Sequence, residues 1–389
     1  MGPKASYLTQ APRPTGFTIR CQGNNAQGQL GKDGNPLKGA NYLAEAAAGV
    51  CHSLAVTTRG EVLAWGSNQF GQLGNGIGEE ESVPNPVLLV FKGLRRPPVI
   101  RRVAAGYGHS VALSDEGVVY TWGLGSDGQL GYQLLISNSY VIQGSNDRCQ
   151  VSPRLLELQE RVEDVACGKS FTLLLSSQGR VLTCGSGVWG VLGNGRLSQQ
   201  FNPQPVTGEL ADKRVCKIAC GWSHCVASVS GLGIYTWGRP YLEISPDMEI
   251  IPLPQLVLEA NADFLSLACG QNHSAALAKP HGQPACVFTW GSNGFGQLGY
   301  ASEESIISTP RAVETGEDWK IEGVACGWNY TVALGSDGRV KGWGGNKYSQ
   351  FGERSQSAQP TFLAIQHVTE VVSGYSHLLF LQTPPDAFA

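Results

Sequence analysis

Apolar residues along this chain come in short alternating runs cut by glycine. The stretch 106–131, GYGHSVALSDEGVVYTWGLGSDGQLG, shows the pattern most clearly. It reads as a glycine-led turn, a strand from His109 to Leu113, a tight turn at Asp115–Gly117, a second strand from Val118 to Trp122 and a glycine-rich exit. Period-two alternation bounded by turn residues predicts an antiparallel hairpin. A single hairpin is only marginally stable in water, so this one needs neighbours.

The chain supplies them by repetition. One anchor is a Gly three residues before a His or an aromatic: Gly49, Gly106, Gly168, Gly221, Gly270, Gly327 and Gly374. A second is the pair closing the next strand: Trp65–Gly66, Trp122–Gly123, Cys184–Gly185, Trp237–Gly238, Trp290–Gly291 and Trp343–Gly344, with Gln22–Gly23 as a seventh form. The first anchors lie 57, 62, 53, 49, 57 and 47 residues apart. A period near 50 indicates a solenoid, a propeller or an array. Short strands without helical periodicity favour an all-β propeller of four-stranded antiparallel blades. Runs such as Pro86–Val90, Val99–Ala104 and Val206–Ala219 supply the remaining strands and connectors.

The ends settle the topology. Residues 374–383 hold a first hairpin half with no partner after it, and 16–23 a second half with none before it. Joined, they make one unit. The expected fold is a seven-bladed β-propeller over 16–383, one domain, closed by N/C-terminal strand exchange in a shared blade, with tails at 1–15 and 384–389. Closure removes the exposed edges of a linear array.

The pattern G-x-x-H-[ST]-x-x-L, then G-x-V-x-x-W-G-x-N-x-x-G-Q-L-G, resembles the RCC1-type repeat of the regulator of chromosome condensation. SNQFGQLG (67–74), SNGFGQLG (292–299) and NNAQGQLG (24–31) are the best copies, and the resemblance spans 16–383. It implies a seven-bladed propeller closed by terminal exchange. It also implies the activity for which the family is best known, nucleotide exchange on the small nuclear GTPase Ran. In that exchange factor an acid follows the second anchor glycine and a His sits two after the fifth. Tyr107 and Asn272 hold those positions here. The exchange factor also inserts a wedge near its third turn region, where GLGSDGQLG (123–131) runs uninterrupted. The plant UV-B photoreceptor is a weaker resemblance, with Trp-Arg-His-Thr after the anchor glycine of successive blades. Trp222 and Trp328 match its tryptophan, but Gln271 interrupts the set and Ser223, Asn272 and Asn329 replace the Arg.

Composition narrows the partners. Charged residues are 15% of the chain, against roughly 25% in ordinary globular domains. Net charge is −3, and residues 1–14 carry only Lys4 and Arg13. Nucleic-acid binding depends on clustered cations, so none is expected. The one basic knot, Arg95, Arg96, Arg101 and Arg102, reads as a solvated connector or as a patch for phosphate or an acidic partner. No run reaches eighteen apolar residues, so no membrane span is expected. The first twenty residues carry neither an apolar signal core nor an Arg-rich leader, so cytoplasm or nucleus is the expected location. Four of eleven cysteines, Cys167, Cys220, Cys269 and Cys326, directly precede anchor glycines, where other copies have Ala48, Ala105 and Ser373. A position restricted to small residues suits buried reduced thiols rather than a disulfide or metal scaffold.

Candidate chemistry is sparse. Five of seven histidines, His52, His109, His224, His273 and His377, are anchors. They are expected to hydrogen-bond neighbouring backbone, with Phe171 and Tyr330 filling the same slot by shape. Trp65, Trp122, Trp237, Trp290 and Trp343 are structural anchors likewise. No catalytic triad, paired-carboxylate spacing, zinc motif or phosphate loop is visible, so no cofactor is expected. The residues after the anchor glycines, Val50, Tyr107, Lys169, Trp222, Gln271, Trp328 and Tyr375, are expected to ring one mouth of the channel. Four aromatics and a Lys there suit the anchors of a protein-binding face; inter-blade packing is the other reading. Irregularities are expected at 132–152 (a long loop), 168–193 (a less regular blade), 221–238 (no Gly-Gln-Leu-Gly turn), 279–285 (a lengthened hairpin) and in KYSQFGE after Trp343. The functional expectation is a non-enzymatic interaction module or scaffold, monomeric, with another protein as partner. The alternative is an exchange factor or regulator for a small GTPase.

Overall fold

The computed structural model describes residues 18–32, 43–78, 80–135, 139–142, 147–240, 249–316, 319–353 and 356–383. The expected tails at 1–15 and 384–389 lie outside them. Blade 1 takes Leu43–Ala48, His52–Thr57, Val62–Asn68 and Glu80–Leu88 as successive antiparallel strands from the axis outward. Blades 2 to 6 repeat this order, with inner strands Ile100–Ala105, Val162–Cys167, Val215–Cys220, Ala262–Cys269 and Ile321–Cys326. In blade 7, Thr18–Gly23 pairs with His377–Gln382, which pairs with Val368–Ser373. The N-terminal strand thus closes the ring, as the unpaired halves at the two ends require.

The core lies between blades rather than within them. Seven hydrophobic clusters form, one at each boundary. Trp65, Trp122, Trp237 and Trp343 are fully buried and Trp290 nearly so. Each stands on the third strand of its blade and packs towards the preceding blade.

A polar relay runs through most of these boundaries. His52 Nε2 lies 2.9 Å from the Ser110 hydroxyl of the next blade. That hydroxyl donates to the Gln72 carbonyl in the Gly-Gln-Leu-Gly turn of blade 1 at 2.8 Å. The Trp122 indole donates to the same carbonyl at 2.8 Å. Because the hydroxyl proton is committed to the carbonyl, the imidazole must donate from Nε2, leaving Nδ1 unprotonated. The relay recurs as His109–Thr172–Gln129, His273–Thr331–Gln297 and, across the ring closure, His377–Ser53–Gln29 with Trp65. His224 reaches Ser274 at 2.9 Å. The imidazole partner is therefore a hydroxyl of the adjacent blade, and the backbone expected from sequence joins it at His109 and His273, through Phe171 and Tyr330.

The two exceptions follow from the partner position. Opposite Phe171 the next blade offers Cys225, whose thiol turns to the Val191 carbonyl. Opposite Tyr330 it offers Leu378, and the phenol donates instead to the Gly374 and His377 carbonyls at 3.0 and 2.9 Å. Tyr330 thus fills its slot by hydrogen bonding as well as by shape.

Close approach explains the anchor glycine. A Cβ on Gly106 would sit 2.6 Å from His109 Nδ1 and 2.7 Å from the Gly168 carbonyl oxygen of the next blade.

Several irregularities resolve. Blade 3 is a full four-stranded sheet despite Phe171 and Cys184, so its departure in sequence leaves the ring regular. Arg148–Leu156 is the outer strand of blade 2, and Tyr140–Val141 adds a short fifth strand to it, so the interval 132–152 is not all loop. Strand Ala262–Cys269 pairs with His273–Pro280, and the lengthened hairpin resumes at Cys286. The segment after Trp343 keeps the repeat's turn, with Asn346 bonding Phe351 N and Gly352 O as Asn25 bonds Leu30 N and Gly31 O. Ser349, at φ 56°, stands where Gly71 has φ 68°, so a non-Gly residue bears the left-handed strain there.

The buried histidines predict acid sensitivity. Burial lowers His52 and His273 to about 3 and His109, His224 and His377 to about 4. The unfolded chain takes up these protons near pH 6.5. Their contribution is therefore complete above that pH and lost as pH falls towards 4, at a limiting slope of about 7 kcal/mol per pH unit for five groups. Calorimetry across pH 7 to 4 should show a steep fall in Tm. His52→Gln, keeping a donor without a titrating ring, should remove about one proton from the uptake. A flat profile between pH 7 and 5 would count against buried neutral imidazoles.

Candidate functional site: the aromatic mouth

The inner strands end together on one face, and the residue after each anchor glycine projects there. Val50, Tyr107, Lys169, Trp222, Gln271, Trp328 and Tyr375 line one axial cavity of about 120 Å³. Backbone bonds stitch this rim from blade to blade. Val50 N–H donates to Gly106 O at 3.3 Å, Trp328 N–H to Tyr375 O at 2.9 Å and Tyr375 N–H to Gly49 O at 3.1 Å. The rim is therefore built into the fold.

The side chains do not stand apart around an open hole. Trp222 of blade 4 meets Tyr107 of blade 2 edge-on at 6.0 Å and Tyr375 of blade 7 at 5.4 Å. Tyr375 stacks on Trp328 at 4.4 Å, and Lys169 Nζ lies 4.9 Å above the Trp222 ring. Blades 2, 4 and 7 are not neighbours, so these rings meet across the axis and cover the channel. Packing is real: Trp222 packs across the mouth, and Trp328 and Tyr375 pack between adjacent blades. All six of these residues other than Gln271 stay half-exposed on the outer side; Gln271 is buried, with its Nε2 unpartnered.

A second aromatic ring surrounds the first. Phe70, Trp189, Phe295 and Tyr348 each lie four residues past the glycine closing the third strand, on the exit turns of the same face. Phe70 touches Tyr107 at 5.7 Å, and Tyr348 lies near-parallel to Trp328 at 6.5 Å. Arg239 stands 5.6 Å over Trp189. Sequence reasoning missed this ring, although its fixed offset from the second anchor was available as a signal.

The channel changes character below the mouth. Cys167, Cys220, Cys269 and Cys326 line it as free thiols, and burial pushes all four up, Cys269 to about 12. Four residues before each anchor glycine the inner strand carries a bulge, which re-aims one side chain. At that level Arg102 of blade 2 bridges Glu45 of blade 1 at 3.3 Å and Asp164 of blade 3 at 2.6 Å. Burial raises Glu45 to about 8, with Arg102 opposing. Arg101 turns the other way, donating to Glu163 O at 2.7 Å. The basic knot is thus divided, with Arg95 and Arg96 exposed on the connector and Arg101 exposed on the inner strand. Among the described residues no group of three or more His, Cys, Asp or Glu could hold a metal, and no helix is long and apolar enough to cross a membrane.

Asn272, at the position where Ran exchange implies a His, is only 4% exposed. Oriented to satisfy its neighbours, its amide donates to the Gln271 and Pro240 carbonyls at 3.2 and 3.1 Å.

Family models match this arrangement. The RCC1-like domain matches residues 16–244, and the regulator of chromosome condensation (RCC1) repeat matches 285–334 as well as 264–297 and 321–350. The chain belongs to the RCC1 repeat family. Within it, the chain is 31% identical over 321 residues to the secretion-regulating guanine nucleotide exchange factor of Bos taurus, covering 79% of this chain and 64% of that protein. It therefore spans less than two thirds of that relative. It is 29% identical over 351 residues to the ultraviolet-B receptor of Arabidopsis thaliana, covering 88% of this chain and 75% of that one. The crystal structure of human WBSCR16 shares the RCC1 fold with TM-score 0.80 at 23% identity, covering 95% of this chain and 99% of that one.

The mouth and the blade boundaries should separate in mutagenesis. Trp222→Ala removes a half-exposed ring and should cost about 1 kcal/mol, whereas Trp122→Ala empties a buried site and should cost about 3–5 kcal/mol. Chemical denaturation checks the ordering. Equal costs would make Trp222 a core residue.

Proposed function

We infer that this propeller is a protein-docking module whose aromatic mouth engages a small GTPase and accelerates guanine-nucleotide release. The similarity to the secretion-regulating guanine nucleotide exchange factor carries this reading. The mouth's chemistry is compatible with it. Nucleotide exchange makes and breaks no covalent bond; it requires a surface that binds the nucleotide-free GTPase more tightly than the loaded one, which shifts the population towards release. A rigid rim with half-buried Trp and Tyr anchors suits such binding.

Ran is not the favoured substrate. Tyr107 and Asn272 replace the acid and the His that the resemblance attaches to Ran exchange, and Asn272 is buried beneath the rim. These substitutions also support the second reading, a propeller that holds a protein partner without exchanging its nucleotide. Either activity would operate in cytoplasm or nucleus.

Release of fluorescent GDP from a panel of purified small GTPases distinguishes the two. At least one should release nucleotide tenfold faster with this protein, and a folded Trp222→Ala/Trp328→Ala variant should lose most of that acceleration. A GTPase that binds stably at the mouth without faster release would favour the scaffold. Full acceleration by the double variant would move the site elsewhere.

A further inference from the structure

Beside the rim, between the exit turns of blades 5 and 6, lies a pocket of about 450 Å³ walled by Phe295, Trp328 and Tyr348. Trp328 and Tyr348 lie near-parallel along one wall, their centroids 6.5 Å apart and their planes tilted by 22°. Trp328 also stacks on Tyr375 at 4.4 Å, so this wall continues into the rim. Phe295 is 46% exposed on the far side. The rim is fixed, because Gln356 Nε2 donates to Phe295 O at 3.1 Å and Gln350 Oε1 accepts from Tyr348 N at 3.0 Å.

The polar groups select the guest. The Asn329 side chain lines the pocket and makes no hydrogen bond among the described residues, so its amide is available to a peptide group. Lys347, exposed, places its Nζ 5.6 Å from the Tyr348 ring at the lip. Neither this pocket nor the axial cavity beside it is lined by any Asp or Glu, while Lys169 and Lys347 flank them. A planar cation would find aromatic faces but no counter-charge and a repelling Lys. A planar neutral ring with carboxylates beside it matches both the aromatic walls and the charge.

We propose that this pocket receives a Phe, Tyr or Trp side chain from an acidic segment of the partner protein, the ring lying against Phe295, Trp328 and Tyr348 and the flanking carboxylates pairing with Lys347 and Lys169. This rests on the reading of the face as a protein-docking surface and adds the chemistry of the segment docked. Burying one aromatic ring in such a pocket is the kind of central contact that dominates an interface, and the lysines set orientation and encounter rate.

The test uses the full chain and defined peptides, by calorimetry at low salt. An acetylated Asp-Glu-Phe-Asp-Glu peptide should bind. Its Leu-for-Phe counterpart should bind at least tenfold more weakly, and Lys-Arg-Phe-Lys-Arg should not bind. Tyr348→Ala and Lys347→Glu should each weaken the first peptide about tenfold; Lys347 is exposed, so its variant keeps the fold even if the other does not. Equal binding of the Leu peptide, indifference to Lys347→Glu, no binding at millimolar peptide, or binding of oligothymidylate at these residues in place of the peptide would each overturn the proposal. No GTPase is present, so failure here leaves the exchange reading intact, and failure of exchange leaves this pocket standing.

Discussion

The structure depends on how one blade holds the next. No blade has a core of its own; each hydrophobic cluster is shared across a boundary, so seven marginal sheets become one body only as a closed ring. The relay from imidazole to hydroxyl to turn carbonyl fixes the distance and register of four of the seven boundaries, and at two of them an indole joins the same carbonyl. Each bond is worth only about 1 kcal/mol net, but an orphaned buried member costs 1–3 kcal/mol. The relay therefore specifies alignment more than it supplies stability. The closure boundary carries the same relay through His377, Ser53, Gln29 and Trp65, which makes the terminal strand exchange an ordinary joint.

That alignment produces the mouth. Because the five imidazoles, with Phe171 and Tyr330 in the same slot, each lie three residues beyond an anchor glycine, fixing these seven side chains fixes the seven residues at the rim. Trp222 can then meet Tyr107 and Tyr375 across the axis without any blade bending to bring them together. Below them small residues narrow the channel, and a bridged Glu–Arg–Asp set marks its deeper level. One face is aromatic and flanked by lysines while the deeper channel is apolar and then charged, so the rim is the surface best suited to gripping another protein.

The ring, its closure and the rim positions were legible because repetition exposes register: seven glycines in phase say more than any one hairpin. What was hidden lay between blades. The hydroxyl partners of the histidines stand one blade away, and no local pattern pairs His52 with Ser110; the substitutions of Phe171 against Cys225 and Tyr330 against Leu378 make sense only once those residues face one another. The turn at Ser349 was obscured because Ser replaces the positive-φ glycine and Phe351 the leucine, although Asn346 and Gln350 keep the turn's bonds. The second aromatic ring was hidden for a different reason. Its members look like loop variation until the exit turns are seen to share a face with the rim.

The account's central claim is that partners dock on this aromatic face. Hydrogen–deuterium exchange of the chain, free and bound to a nucleotide-free GTPase that it engages, tests it most directly. The claim predicts protection in the rim and exit turns, around 106–109, 221–224, 327–330 and 346–350. Protection confined to the hairpin turns of the opposite face, around 57–61, 114–118 and 176–180, would contradict it.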